Sequence, residues 1–400
     1  MVYITGFGII SGMGCGAEET WATLQQGRPV IGKVSFLETA LRHYPAVEVK
    51  KSNADLVRLA SLPEDKIYSR TFLLGLIAAQ QAMRMAGLNT AQGILGATTI
   101  GGMDLNERYY KRIMEEGDKA LRRQLASSFE CADCTEQIAN HFDIRTHVTT
   151  MSTACSSSAN AIMTATRMIR NGLADSVLAG GMDALSRFSI NGFNSLEILS
   201  PTGCRPFDQQ RNGVTIGEGA AFLVLESEKA ATGKKIYGEI IGYANHSEAF
   251  HQTASSPDGA GAIMTMRHAL KTANLQPEDI DYINAHGTGT QINDLSEGNA
   301  IGTVFGNKIP PVSSTKAYTG HTLAAAGAVE AVLSLLSIKE QTLLPNLGLE
   351  NVMEELPFLP YSDMRCEICD KQPSQIELNH ILSNSFGFGG ANTTLIIKRV

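Results

Sequence analysis

The chain has 400 residues, 43% apolar and 18% charged, with a formal net charge of −7. That length exceeds one simple core, so two domains or a fused duplicate are expected. The acidic balance argues against nucleic acid as the main partner, because phosphate recognition needs a basic surface, though a local basic patch for a small acidic protein is compatible with it.

Residues 1–6 read as a strand with neither a basic segment nor a long apolar run, so no signal peptide and no membrane helix is expected. The expected compartment is the cytoplasm, and the odd count of seven cysteines reads as free thiols. Thirty-eight glycines predict many tight turns and close backbone approaches. Short apolar strands then alternate with amphipathic helices, the pattern of an α/β fold. One helix ends at Gly87 and is followed by a strand over 94–97 and by Gly101-Gly102. A strand near Val148 runs into Cys155 and a helix over 156–171. Ala159, Ile162, Met163, Thr166 and Ile169 give that helix one apolar face, and Asn171-Gly172 stops it. A strand over 176–181 follows.

The same order recurs downstream. A helix ends near Asn274, a strand covers 281–284, and Gly287 and Gly289 follow it. A strand near Val312 runs into His321 and a helix over 322–339, and a strand over 380–383 leads to Gly389-Gly390. Three matches in register predict a duplicated half of about 200 residues. The boundary falls near 231–235, dividing the chain into 1–232 and 233–400. A pseudo-twofold would bring the starts of the two matching helices together, and Cys155 and His321 with them, so function is expected between the halves.

Cys155 lies in Thr153-Ala154-Cys155-Ser156-Ser157-Ser158 at a helix start, where unpaired N–H groups favour a thiolate. Lowering a cysteine pKa by about 1.5 units takes only ~2 kcal/mol. His286, in Asn284-Ala285-His286-Gly287-Thr288-Gly289-Thr290, and His321, after Gly320, stand in glycine frames that let backbone approach a ligand. The other seven histidines lack such frames. Two neutral imidazoles beside a thiolate suit carbon–carbon bond formation on thioesters. Three other readings stay open: an inert core cysteine, a cysteine hydrolase or acyl transferase using one histidine, and a non-catalytic interaction subunit. The hydrolase gives no reason for the second histidine or for Lys316. Retention of Cys155, His286 and His321 together speaks against a silent subunit.

Further motifs extend the pattern along nearly the whole chain: Ala179-Gly180-Gly181, Cys204-Arg205-Pro206-Phe207-Asp208, Gly217-Glu218-Gly219-Ala220, Ser313-Ser314-Thr315-Lys316, Ala325-Ala326-Gly327-Ala328-Val329-Glu330 and Asn384-Ser385-Phe386-Gly387-Phe388-Gly389-Gly390. Together they resemble the elongating β-ketoacyl-acyl carrier protein synthases of the thiolase-like superfamily. The resemblance implies a five-layered αβαβα fold of two pseudo-twofold related halves. It implies a homodimer, with a heterodimer as the alternative, and acyl carrier protein as partner. It implies Cys155 as nucleophile, His286 and His321 as catalytic histidines, and Lys316 as the active-site lysine with Glu330 as its ionic partner. The backbone N–H groups of Cys155 and Phe388 become the oxyanion hole, and Phe388 also matches a gating aromatic. Thr288, Thr290, Phe193, Phe386 and Glu330 complete the implied substrate-binding set. No metal or resident cofactor is implied; phosphopantetheine arrives on the carrier protein. The loop 384–387 lacks the second cysteine of thiolases, and His321 replaces the asparagine of priming synthases.

Some features depart from the pattern. Glu197 falls where many relatives carry a basic residue that helps dock the carrier. Lys66, Arg70, Arg108, Lys111 and Arg112 are candidate compensating charges, though such charges more often form a solvated face. Gly101–Asn106 matches a loop that shapes the partner's acyl pocket, with Met103 and Asp104 as the residues that differ. A short connection between Gly27 and Tyr68 and the serine-rich nucleophile motif keep a polyketide or aryl polyene pathway open beside fatty acid synthesis. Cys131-x-x-Cys134 and Cys366-x-x-Cys369 mimic a four-cysteine zinc site but read as free thiols.

Overall fold

Strands buried on both faces need helices on either side, and that requirement organises the molecule. The computed structural model describes residues 1–362 and 377–400. Its strands are β1 (Val2–Ser11), β2 (Gly14–Cys15), β3 (Gly93–Ala97), β4 (His147–Met151), β5 (Ser176–Asp183), β6 (Gly219–Ser227), β7 (Gly238–Ser247), β8 (Tyr282–Asn284), β9 (Val312–Ser313), β10 (His380–Gly387) and β11 (Ala391–Lys398). They run in the order β4-β3-β5-β6-β1-β7-β11-β10-β8-β9, with β2 paired to β1.

Reading inward from either end gives the same pairing. β3 is parallel to β4 and β5, while β5 is antiparallel to β6 and β6 to β1. β8 is parallel to β9 and β10, while β10 is antiparallel to β11 and β11 to β7. The half-sheets join only where Tyr3 meets Glu239 and Ile4 meets Gly238. The helices Ser157–Arg170 and Ala326–Glu340 pack on each other and on strands of both half-sheets. Arg70–Ala86 and Ala132–His141 cover the outer face of one half-sheet. Ala260–Ala273 and Gln291–Phe305 cover the outer face of the other. The result is the thiolase-like αβαβα fold. The central helix shows what its place demands: every residue from Ala326 to Ile338 is buried, with no polar face left for water. Gly327 lets it close on its neighbour, since a Cβ there would lie 2.8 Å from the Ala159 Cβ.

The two central helices start later than their sequence patterns predict. The first begins at Ser157, after Ala154 at φ 50°. The second begins at Ala326, after a 3₁₀ turn over Leu323–Ala325 in which Leu323 sits at φ 54°. A left-handed residue cannot continue a right-handed helix, so each helix is held off by one strained residue beside Cys155 or His321.

Arg70 is not a docking charge. It is 6% exposed, and its guanidinium forks onto Glu218, with Nε 2.9 Å from Oε2 and Nη2 2.7 Å from Oε1. It also donates to the carbonyls of Val49 and Lys51, and Glu218 accepts the Val49 and Leu185 N–H groups. Asp104 lies on the helix Met103–Met114 and caps the Arg70 helix, accepting the Arg70 N–H at 2.7 Å. Arg70→Met is expected to lower the unfolding free energy by about 3–5 kcal/mol by stranding the Glu218 charge. The readout is a lower urea midpoint, of which Arg70→Met/Glu218→Leu recovers only part, because the Val49 and Leu185 N–H groups then lose their acceptor.

Candidate active site

β4 delivers the chain to a tight elbow at Thr153–Ser156. Ser157 Oγ donates to the Ala154 carbonyl at 2.5 Å and accepts the Thr153 N–H at 2.8 Å. Asn160 Nδ2 donates to Thr153 Oγ1 at 2.9 Å. The serine run thus holds the elbow, and Cys155 comes to rest 6% exposed at its apex. His286 follows β8 on a loop pinned by two carboxylates from the next helix. Glu297 accepts the N–H groups of His286 and Gly287 at 2.9 and 2.8 Å, and Asp294 accepts the Gly289 N–H at 3.2 Å. Burial pushes Glu297 up to about 7. Sequence reading missed both residues. Their i, i+3 spacing just after a glycine-rich loop was the available signal. His321 is held across the halves: its N–H donates to the Thr215 carbonyl at 2.7 Å, and its carbonyl accepts the Gly217 N–H at 2.9 Å.

These elements converge. The Cys155 Sγ and one ring nitrogen each of His286 and His321 lie within 4.8 Å of one another. The two rings stand 5.3 Å apart at 86°. Lys316 Nζ faces His286 Nδ1 at 3.1 Å, donates to the His286 carbonyl at 2.6 Å and pairs with Glu330. The Leu323 N–H donates to His321 Nδ1 at 3.1 Å. Both Nδ1 atoms therefore accept, and both rings carry their proton on Nε2. Among the described residues His321 Nε2 finds no partner and stands as a buried, unspent donor. Burial, reinforced by the Lys316 charge, holds both imidazoles well below the usual 6.5, so both are neutral near pH 7. This arrangement suits an oxyanion better than a metal ion, which needs an unprotonated nitrogen from each ring.

At this helix start burial opposes the thiolate. Burial pushes its thiol up to about 11, against the pull of Lys316 and of the Phe388 and Cys155 N–H groups. The first free donors are already engaged, since the Ser156 and Ser157 N–H groups bond the carbonyls of Thr153 and Ala154 at 3.3 and 3.2 Å. The Phe388 and Cys155 N–H groups nevertheless face the sulfur, where the resemblance implies an oxyanion hole. Gly387 makes that approach possible: a Cβ there would lie 3.2 Å from the Cys155 nitrogen and 3.0 Å from the Thr153 carbonyl oxygen.

A pocket of about 250 Å³ opens onto the trio. Phe193, Phe386, Phe388, Thr288 and Thr290 share its wall with Cys155, His286 and His321. Phe193 stacks on Phe388 at 5.9 Å, and the Thr288 and Thr290 hydroxyls meet at 2.9 Å. Lys316 and Glu330 stand behind the wall. Glu330 is therefore not a substrate contact, being 1% exposed and turned to Lys316. Glu197, at φ 58°, is the single charged residue on the described pocket wall. Of the candidate docking charges, Lys66, Arg108, Lys111 and Arg112 are all exposed, with Arg108 paired to Asp104 and Arg112 to Asp118. Cys131 Sγ lies 3.7 Å from the Thr99 carbonyl oxygen and Cys134 Sγ 3.7 Å from Ser69 Oγ; Cys366 and Cys369 lie outside the described residues.

Comparison with known proteins gives matches along nearly the whole chain. The family model "Beta-ketoacyl synthase, N-terminal domain" matches residues 1–231, and "Beta-ketoacyl synthase, C-terminal domain" matches 237–350. The chain is 33% identical over 415 residues to 3-oxoacyl-[acyl-carrier-protein] synthase 2 of Staphylococcus aureus, covering 100% of this chain and 98% of that protein. It is 34% identical over 429 residues to the Synechocystis protein of the same name, with the same coverage of each. Among solved structures, the ishigamide ketosynthase/chain length factor superposes with a TM-score of 0.90 at 30% identity, covering 100% and 99% of the two chains. The ketosynthase ApeO, in complex with its chain length factor ApeC, from Xenorhabdus doucetiae gives 0.84 at 33%, covering 100% and 98%.

With the thiol raised to about 11, alkylation of Cys155 by iodoacetamide is expected to climb steadily with pH through pH 10. Peptide mass spectrometry across a pH series measures this; a plateau by pH 8 contradicts it. Gly387→Ala is expected to slow Cys155 acylation about 100-fold by displacing one oxyanion donor, read by the same method with an acyl thioester.

Proposed function

The chain belongs to the β-ketoacyl synthase family, and from that premise we propose how this site carries out the family's chemistry. The protein is a 3-oxoacyl-[acyl carrier protein] synthase, an acyltransferase of fatty acid elongation. It performs decarboxylative condensation of malonyl-acyl carrier protein with an acyl group held on Cys155. One observation carries this reading: a sulfur and two neutral Nε2–H donors, each fixed by a bond to its Nδ1, share the end of one pocket.

In the first half-reaction the Cys155 sulfur attacks the acyl thioester of the carrier. The sulfur–acyl bond forms, the pantetheine carbon–sulfur bond breaks, and the Cys155 proton passes to the departing pantetheine thiol. The N–H groups of Cys155 and Phe388 hold the oxyanion, each such donor being worth about 3 kcal/mol. In the second, malonyl-carrier protein enters and its thioester oxygen accepts from His286 and His321. The bond to the malonyl carboxylate breaks, carbon dioxide leaves, and the electron pair becomes an enolate at that oxygen. The enolate carbon then bonds the acyl carbon, the bond to Cys155 breaks, and the sulfur takes up a proton from solvent. Neutral imidazoles suit this step because they donate without needing to be discharged afterwards. Burial, reinforced by the Lys316 charge, keeps them neutral, and Lys316 orients His286. The departing carboxylate supplies the carbanion, so the reading requires no metal and no resident cofactor. The proposal places the enzyme in the cytoplasm with its carrier-bound substrates.

We read Thr288 and Thr290 as holding the pantetheine arm and Phe388, stacked on Phe193, as gating the acyl chain; their place on the pocket wall supports this. We read residues 1–232 as the half that carries the nucleophile and 233–400 as the half that carries both histidines. For a homodimer, the support is the edge of β4, which pairs with no further strand among the described residues. Val148 and Thr149 are exposed there, whereas the opposite edge at β9 is covered by the Tyr361 N–H on the Val312 carbonyl. An open strand edge seeks a partner. A second reading, a ketosynthase of a specialised polyketide pathway working beside a related subunit, is favoured by the 0.90 TM-score to the ishigamide ketosynthase/chain length factor and by the acidic Glu197 at the pocket wall.

Mass spectrometry after incubation with acyl- and malonyl-carrier protein is expected to show acyl-Cys155 and a 3-oxoacyl product lengthened by two carbons. Cys155→Ala is expected to abolish both. Acyl transfer without elongation, or 3-oxoacyl formation by Cys155→Ala, overturns the assignment. A panel of straight-chain and polyene primers separates the two pathways.

A further inference from the structure

Asp183 ends β5 and is fully buried. It lies off the pocket wall, and the mechanism above does not use it. Its carboxylate accepts from Thr98 Oγ1 at 2.7 Å, Thr99 Oγ1 at 2.9 Å and the Thr99 N–H at 3.1 Å, all in the loop after β3. Its remaining bond reaches the other half of the chain, where Oδ2 accepts the Ala324 N–H at 2.8 Å.

Ala324 is the middle residue of the 3₁₀ turn that begins at Leu323. Leu323 sits at φ 54°, a conformation that costs a non-glycine residue about 1–3 kcal/mol and persists only where the surroundings impose it. The strained residue presents its N–H to His321 Nδ1. Relaxing Leu323 toward ordinary backbone swings that N–H away. His321 then loses the bond that fixes its tautomer, and with it the certainty of a proton on Nε2. Two groups from the N-terminal half hold the segment against relaxation: Asp183 on the Ala324 N–H, and Ser158 Oγ on the Ala328 N–H at 2.9 Å. Only Asp183 acts inside the turn itself.

We propose that Asp183 is a positioning residue for His321: its grip on the Ala324 N–H keeps Leu323 left-handed, and the Leu323 N–H keeps the His321 proton on Nε2. The carboxylate touches neither substrate nor the reacting atoms. Its effect is confined to the half-reaction in which His321 serves as a donor, so the activity arm of the test rests on the functional reading above.

The test uses Asp183→Asn, which keeps an acceptor oxygen and the side-chain volume, with Asp183→Ala beside it. In histidine-¹⁵N-labelled protein the parent is expected to show His321 with a bare Nδ1 and a protonated Nε2. The variants are expected to show a mixture of tautomers. Malonyl-carrier decarboxylation and condensation are expected to fall about 10- to 100-fold, while the rate of acyl loading onto Cys155 stays within about twofold, the signature of a change confined to one donor. Leu323→Gly, which adopts positive φ without strain, is expected to restore much of the lost condensation in the Asp183→Asn background. An unchanged His321 tautomer, equal losses in both half-reactions, or no recovery in the double variant overturns the proposal. A parent protein that never loads Cys155 sinks the functional reading instead, and leaves the tautomer measurement to decide on Asp183.

Discussion

A buried ammonium with nowhere to go organises this site. Lys316 is 0% exposed, and an ion in the interior is tolerable only when it is paired and hydrogen-bonded. Glu330 supplies the opposite charge, and the His286 carbonyl and Nδ1 take the remaining donors. The satisfied lysine then acts on everything around it. Its charge depresses both imidazoles and draws the Cys155 thiol downward. Its geometry leaves His286 one way to hold a proton. Burial acts in opposite directions on the two kinds of group, keeping the histidines neutral and the thiol protonated, because in each case it disfavours the charged form.

The duplicated architecture explains how three groups distant in sequence meet. In each half an edge strand, β4 or β9, leads toward a helix that packs between the sheets. Cys155 stands just before one such helix and His321 just before the other. Each helix is delayed by a residue in the left-handed region, Ala154 or Leu323, and that delay opens a short non-helical stretch in which a functional group faces the pocket. The two halves also hold each other's catalytic segments. Thr215 and Gly217 bracket the His321 backbone from the first half, and Asp183 reaches the following turn. Local strain is thus held by contacts made across the sandwich, which a single half cannot supply.

The same logic separates two classes of polar residue with similar appearance in the sequence. Arg70 read as a docking charge and Asp104 as part of a loop shaping an acyl pocket, yet one closes on Glu218 and the other caps the Arg70 helix. Their roles depend on loops from elsewhere in the chain, chiefly Val49–Asn53, which no local pattern announces. Asp294 and Glu297 went unread for a related reason: they act on backbone N–H groups, and a carboxylate that binds backbone leaves no mark on its partner's side chains.

The alternation of strands and helices, the duplicated order of elements and the meeting of Cys155, His286 and His321 were legible from the chain alone. Glycine frames and small-residue runs are local demands of backbone geometry, and they are written where they act. Tertiary structure alone decided the rest: the ionisation of Cys155, the tautomers of His286 and His321, the retreat of Glu330 behind the pocket wall and the late start of both central helices. Each of these depends on burial or on a hydrogen bond to a distant segment. Desolvation and long-range pairing are properties of the packed molecule, and residue order specifies them only through the fold it produces.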